Sequence, residues 1–180
     1  MAAGESWRRH AWTKARADLL PVLPLEVIRL RVKRAAEIGL DYRTYASFRA
    51  ASGHDIVALL FSTNALSLLP PRPNLPQARA EKLAAIRGAG RAALARAPLA
   101  PADVLALAPG LIESASPAPR PFAPWSEARR AVLSAISSWP GGGVLMIGDT
   151  VEERGWAEAA RLWGYLPAGR YFPGLAEAPA

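Results

Sequence analysis

At 180 residues, 51% of them hydrophobic, the chain is long enough for one ordinary domain or two small ones and apolar enough to build a core. It has no cysteine, which excludes disulfides, thiolate metal sites and cysteine nucleophiles and fits a reducing, cytoplasmic setting. The net charge of +7 is uneven: residues 1–100 carry 16 Lys and Arg against 7 Asp and Glu, whereas residues 101–180 carry 6 against 8.

A basic half beside a nearly neutral one points to a polyanionic partner, nucleic acid or an anionic membrane surface. Arg outnumbers Lys 19 to 3, a bias that GC-rich coding also produces, so charge alone assigns no function. Alanine supplies much of the apolar fraction and buries little area. The core must therefore rest on Leu, Ile, Val and the six Trp.

Residues 1–20 lack a signal-peptide core, because Arg8, Arg9, His10, Lys14, Arg16 and Asp18 interrupt them. They read as a first helix that turns Trp7 and Trp12 inward. Leu25–Ile38 reads as a second helix, with Leu25, Ile28, Val32 and Ala35 at helical spacing and Gly39 as its left-handed stop. Asp41 is placed to cap the next helix, which runs to about Ala51 and carries Tyr42, Tyr45 and Phe48. Ser52-Gly53 breaks the chain. The length of Asp55–Leu69 favours a buried helix, with a strand over Ile56–Phe61 as the alternative, and its polar residues leave no membrane span.

Prolines at 70, 71, 73 and 76 make the first clear break. Gln77–Arg96 is Ala-rich and reads as a helix weakened at Gly88 and Gly90. Pro101 opens a short helix to Leu107, and Ser116–Pro124 reads as extended. Ser126 is placed to cap a helix with Ala128, Val132, Ile136 and Trp139 on one face. Pro140–Gly143 then turns the chain into a short buried strand over Val144–Ile147. Thr150-x-x-Glu153 is a capping box for a last helix, with Trp156, Ala160 and Trp163 on one stripe and Gly164 as its end.

The expected fold is mainly α, with an α+β arrangement as the alternative. A basic helical block (1–69) leads through a helical, Pro-rich connection (70–124) to a helix–short strand–helix unit (125–172) and a tail (173–180).

Within the first block, Ala35, Ile38, Gly39, Leu40, Tyr45 and Phe48 stand where a twenty-residue helix–Gly turn–helix core wants small, apolar, glycine and apolar residues. Arg31–Ala50 thereby resembles the helix-turn-helix superfamily. Arg34 and Tyr45 depart from its pattern, which has an apolar and a β-branched residue at those places. The resemblance implies a second helix in the major groove, with Arg43, Thr44 and Ser47 toward base edges and Arg49 beside them. Arg29, Arg31, Lys33 and Arg34 would meet phosphates.

A second constellation lies at Gly148-Asp149-Thr150, directly after the Val144–Ile147 strand. A carboxylate and a hydroxyl between a strand end and a helix N-terminus occupy the ligand position of α/β proteins. If Ile56–Phe61 is a strand, Ser62 and Asn64 join Asp149 and Thr150 in one pocket. Pro140–Gly143 is not a phosphate loop, since it precedes its strand and lacks the Lys-Ser/Thr ending. His10 and His54 show no metal-ligand spacing, and His54-Asp55 reads as a cap. No cofactor or metal is expected.

The leading expectation is a nucleic-acid-binding, transcription-related protein of the cytoplasm. The alternatives are a small α/β ligand-binding protein or enzyme, and a non-catalytic adaptor or assembly protein. In the leading case the Trp-bearing C-terminal block would supply homodimerisation or a partner surface, and in the last case the same Trp- and Pro-rich block would contact another protein.

Overall fold

The computed structural model describes residues 23–174. In chain order they form α1 (Leu25–Glu37), α2 (Tyr42–Ser52), β1 (Ala58–Ser62), α3 (Gln77–Ala85), β2 (Gly90–Ala95) and α4 (Pro101–Leu107). There follow β3 (Ser114–Pro117), α5 (Trp125–Ala135), β4 (Val144–Gly148), α6 (Val151–Ala160), β5 (Gly164–Pro167) and the single turn α7 (Ala168–Tyr171).

The five strands make one all-parallel sheet in the order β3-β2-β1-β4-β5. β1 lies in the middle, with Ala58 opposite Gly90 of β2 and opposite Val144 of β4. Side chains alternate between the two faces of a strand. Leu59 and Phe61 of β1, with Leu145 and Ile147 of β4, join a core built with Ala35, Ile38, Leu40 and Tyr45 of the α1–α2 pair, Leu83, Val104, Tyr171 and Phe172. Ala58 and Leu60, with Val144 and Met146, join a second core against Ala128, Val132 and Ala135 of α5 and Trp156, Ala157 and Ala160 of α6. Helices therefore cover both faces, as a buried parallel sheet requires.

This architecture overturns the mainly α expectation: the chain is α/β. The stretch 77–96 is a helix only to Ala85, and Gly90–Ala95 is a strand. Alanine favours helix in isolation by a few tenths of a kcal/mol per residue, roughly, over most other residues. Each fully buried Leu or Phe of the flanking strand contributes about 2 kcal/mol. Pairing with β1 therefore outweighs the local preference of β2. The stretch after Gly53 is strand over Ala58–Ser62 rather than buried helix, and all five residues are buried. Gly164 does not merely end the last helix but starts β5, and Arg161 makes the left-handed stop at φ 53°. α5 starts at Trp125 with Pro124 ahead of it, so Ser126 lies inside the helix. Trp7, Trp12 and the first helix expected around them lie outside the described residues.

The α1–α2 turn forms as the spacing predicts. Gly39 sits at φ 71°, and a Cβ there would lie 3.0 Å from both Lys82 Cε and Tyr171 Oη, so glycine serves both the turn and the packing. The Asp41 carboxylate accepts the Thr44 N–H at 2.8 Å and caps α2. The Tyr171 hydroxyl donates to the Ile38 carbonyl at 3.0 Å, tying the turn to the end of the sheet.

Arg34 joins α1 to the amino ends of the strands. Its Nε donates to Asp55 at 3.1 Å, and its terminal nitrogens donate to the carbonyls of Ile56 (2.8 Å), Gly88 (3.0 Å) and Arg87 (3.2 Å). A planar fork of five donors suits this task, and an ammonium does not. Arg34→Met should lower the unfolding free energy by about 2 kcal/mol in urea titration, with Arg34→Lys recovering less than half. A wild-type midpoint in Arg34→Met would show that the clamp contributes nothing.

Candidate functional site

Strand order reverses beside β1: the chain winds outward through β2 and β3, then returns to pair β4 with the other edge of β1. Ligand crevices of open parallel sheets lie outside the carboxyl ends of the strands at such a reversal. Here the two segments at that position are Thr63-Asn64 after β1 and Asp149-Thr150 after β4.

The structure brings them together. The Asn64 side-chain amide donates to Glu153 Oε1 at 2.9 Å, across 89 residues of sequence. Glu153 Oε2 accepts the backbone N–H groups of Asp149 (2.6 Å) and Thr150 (3.1 Å), and the Thr150 hydroxyl accepts the Glu153 N–H at 3.2 Å. The capping box is present as the spacing predicts. Its glutamate is completely buried and ties the segments after β1 and β4 together. Gly148 makes room for it, because a Cβ there would lie 2.6 Å from the Tyr165 ring and 2.9 Å from Glu153 Oε2.

Arg96, after β2, reaches the same place. Its guanidinium lies 3.1 Å from Glu152 and 3.8 Å from Glu153, and stacks 5.5 Å from the Trp156 ring centroid. Glu152 also accepts the Phe122 N–H at 3.1 Å, so the loop after β3 is latched to the mouth. Tyr165 donates to the Thr150 carbonyl at 3.1 Å. Burial, followed by the Glu153 charge, pushes its phenol up to about 12, so it stays a donor throughout the neutral range.

The sequence-predicted ligand residues fare differently. Asn64 lines the crevice and Thr150 flanks it. Asp149 is exposed, and its carboxylate makes no hydrogen bond or ion pair among the described residues. Ser62 is fully buried, its oxygen accepting the Ala65 N–H at 3.0 Å, so it belongs to the wall. Arg96, Glu152, Tyr165 and Phe122 were not found from sequence. Arg96 was hidden because its strand reads as helix, and Glu153 because the capping box already explained it.

The residues expected to meet nucleic acid are spread over α1 and α2. Arg29 is exposed and pairs with Glu26 at 2.8 Å, and Lys33, Arg43 and Ser47 are exposed. Arg31 is half-buried, and Arg34 is held by the strand ends. Thr44 is buried, its hydroxyl donating to Asp41 at 2.5 Å and accepting from Arg170 at 3.1 Å. Arg49 lies 3.7 Å from Asp55 and 3.4 Å from the Tyr45 hydroxyl. In the C-terminal block Trp139, Trp156 and Trp163 pack against the cores, while Trp125, Phe122 and Val151 are exposed.

Among the described residues no three His, Asp or Glu side chains gather to hold a metal ion, and no helix is long and apolar enough to cross a membrane. Comparison with protein-family models, with curated proteins and with solved structures gives no match. The fold alone therefore defines the class: a doubly wound parallel α/β protein with a hydrogen-bonded polar cluster around the buried Glu153 at its strand reversal.

Removing the Glu153 carboxylate orphans two backbone donors and the Asn64 amide. Glu153→Ala should cost about 3 kcal/mol of stability, and Glu153→Gln less, because one carbonyl oxygen remains for the backbone donors. Equal urea midpoints for Glu153→Ala and wild type would show that the crevice is not held from this residue.

Proposed function

We propose that the protein binds a small polar ligand in the crevice between the carboxyl ends of β1 and β4. The observation that carries this reading is the strand reversal at β1, with Asn64, Arg96, Asp149 and Thr150 drawn to it from three separate strand ends. The groups supply both halves of a hydrogen-bonding site. Asn64 keeps its amide carbonyl as an acceptor once its NH2 has gone to Glu153, and Asp149 offers a carboxylate. Thr150 keeps its hydroxyl proton to donate, and Arg96 offers a guanidinium edge.

Glu152 and Glu153 pair with Arg96, Arg154 lies 5.2 Å from the Tyr165 ring centroid, and Asp149 stands exposed beside them, so three carboxylates face two guanidinium groups and the local charge is negative. The site favours a neutral or cationic ligand, such as an amine or polyol, over an anion. The enclosed Ser62 and the exposed His54, at the opposite end of β1, assemble no nucleophile and base. The chemistry supported is binding, with the exposed Asp149 carboxylate as an acceptor for a ligand donor.

A thermal-shift screen of amines, amino acids and polyols tests the reading. A true ligand at a hundredfold excess over Kd should raise Tm by about 5–10 °C. Asp149→Asn should abolish that shift while leaving the unliganded Tm near wild type, because Asp149 is exposed. A shift untouched by Asp149→Asn, or no hit in the screen, removes the reading.

Nucleic-acid binding through α1–α2 is the second reading, favoured by the outward Arg43 and Ser47 on α2 and the exposed Arg29 and Lys33 on α1. It ranks behind the crevice because Thr44, the third residue expected to reach base edges, is enclosed. If it holds, duplex affinity falls steeply with salt and Arg43→Ala weakens it. Absence of binding to mixed duplex DNA at low salt would eliminate it.

A further inference from the structure

At the amino ends of the strands, α1, α2 and the loop before β1 line a cleft of about 420 Å³, within the size range of small-molecule sites. Its wall carries four cations, Arg31, Lys33, Arg34 and Arg49, and two carboxylates, Glu37 and Asp55. The carboxylates are already engaged. Arg34 donates to Asp55 at 3.1 Å and to Glu37 at 3.5 Å, and Asp55 also accepts the Tyr45 hydroxyl and the Ile56 N–H, each at 2.8 Å. Arg34 has spent its donors on these groups and on the strand-end carbonyls.

The remaining cations are under-used. Arg31 and Lys33 make no hydrogen bond or ion pair among the described residues. Arg49 has only the long contacts to Asp55 (3.7 Å) and Tyr45 (3.4 Å). The cleft therefore holds a net charge of +2 on a frame that Arg34 fixes to the strand ends. Val27 lines the same cleft, and so does Leu30, which is 67% exposed although it is a large apolar residue.

We infer that this cleft is a second binding site, for a phosphate group held by Arg31, Lys33 and Arg49, with the organic part of its bearer lying on Val27 and Leu30. A phosphate dianion matches the net charge and accepts from several guanidinium and ammonium donors at once. The site is independent of the crevice, which lies at the other end of the strands and has the opposite charge. The same chemistry is offered by a small phosphate monoester and by the phosphodiester backbone of a nucleic acid.

The test is NMR titration of the full chain with inorganic phosphate, with a nucleoside monophosphate and with a short mixed-sequence duplex, at constant ionic strength set by chloride. Phosphate and monophosphate should shift the Arg31 and Arg49 side-chain N–H signals at millimolar concentration, the monophosphate also shifting the Leu30 methyls. The double variant Arg31→Ala/Lys33→Ala should lose affinity about tenfold or more and keep the wild-type spectrum elsewhere. Asp149→Asn should bind phosphate as wild type does, which separates this site from the crevice. Duplex binding that phosphate competes away assigns the group to nucleic acid. Phosphate binding without duplex binding assigns it to a small molecule. Phosphate shifts no larger than those of added chloride, or shifts unchanged in the double variant, overturn the inference.

Discussion

The structure depends on β1 lying between two parallel partners. All five of its residues are buried, and it exchanges backbone hydrogen bonds with β2 on one side and β4 on the other. A strand in that position has no face for water, so helices must cover both sides of the sheet. Because parallel neighbours need crossovers, the chain winds outward to β3 and must come back across the sheet to reach β4. That return creates the reversal, and the reversal creates the crevice. Asn64 and Asp149 are neighbours for this reason, and no local feature of either segment brings them together.

The legible parts of the sequence are those where the determining contact is local. The Gly39 turn, the Asp41 cap, the α4 start at Pro101 and the Thr150–Glu153 box are set by residues within four positions of each other, and each formed. Val144–Ile147 was legible because four consecutive apolar residues followed a glycine turn. β1 was legible only as the alternative strand over Ile56–Phe61, and the other three strands escaped. β2 reads Gly-Arg-Ala-Ala-Leu-Ala, β3 reads Ser-Ala-Ser-Pro and β5 reads Gly-Tyr-Leu-Pro. None carries a β-branched residue, and each is held in place by its neighbour. With β2 hidden, Arg96 could not be placed beside Glu152 and Glu153, so this cation of the site stayed out of view.

The α1–α2 pair shows how one pattern can serve two structural ends. Ala35, Ile38, Leu40 and Tyr45, the positions that carry the helix-turn-helix resemblance, are the residues that face the sheet core. Close packing of two short helices around a glycine turn is sufficient to produce that spacing, because small residues allow approach and apolar ones fill the wedge. Gly39 is further constrained by Lys82 and Tyr171, which belong to the sheet's own covering layer. The pattern thus reports docking of the pair onto the sheet, and its bearing on partners rests on the outward residues Arg29, Lys33, Arg43 and Ser47 alone.

The uneven charge of the chain becomes spatial once the fold is known. The excess of cations in the first hundred residues is partly internal: Arg34, Arg91 and Arg96 are tied to Asp55, Glu113, Glu152 and other groups of the sheet edges. Among the described residues of α1 and α2, Arg31, Lys33 and Arg43 have no acidic partner, and Arg31 and Lys33 line the cleft at the amino ends of the strands, whereas Asp149, Glu152 and Glu153 stand at the carboxyl ends. Coulomb forces between exposed groups fade over about 10 Å at ordinary ionic strength, so the two ends act as separate fields. The fold thereby gives part of the arginine excess a location that composition alone could not supply.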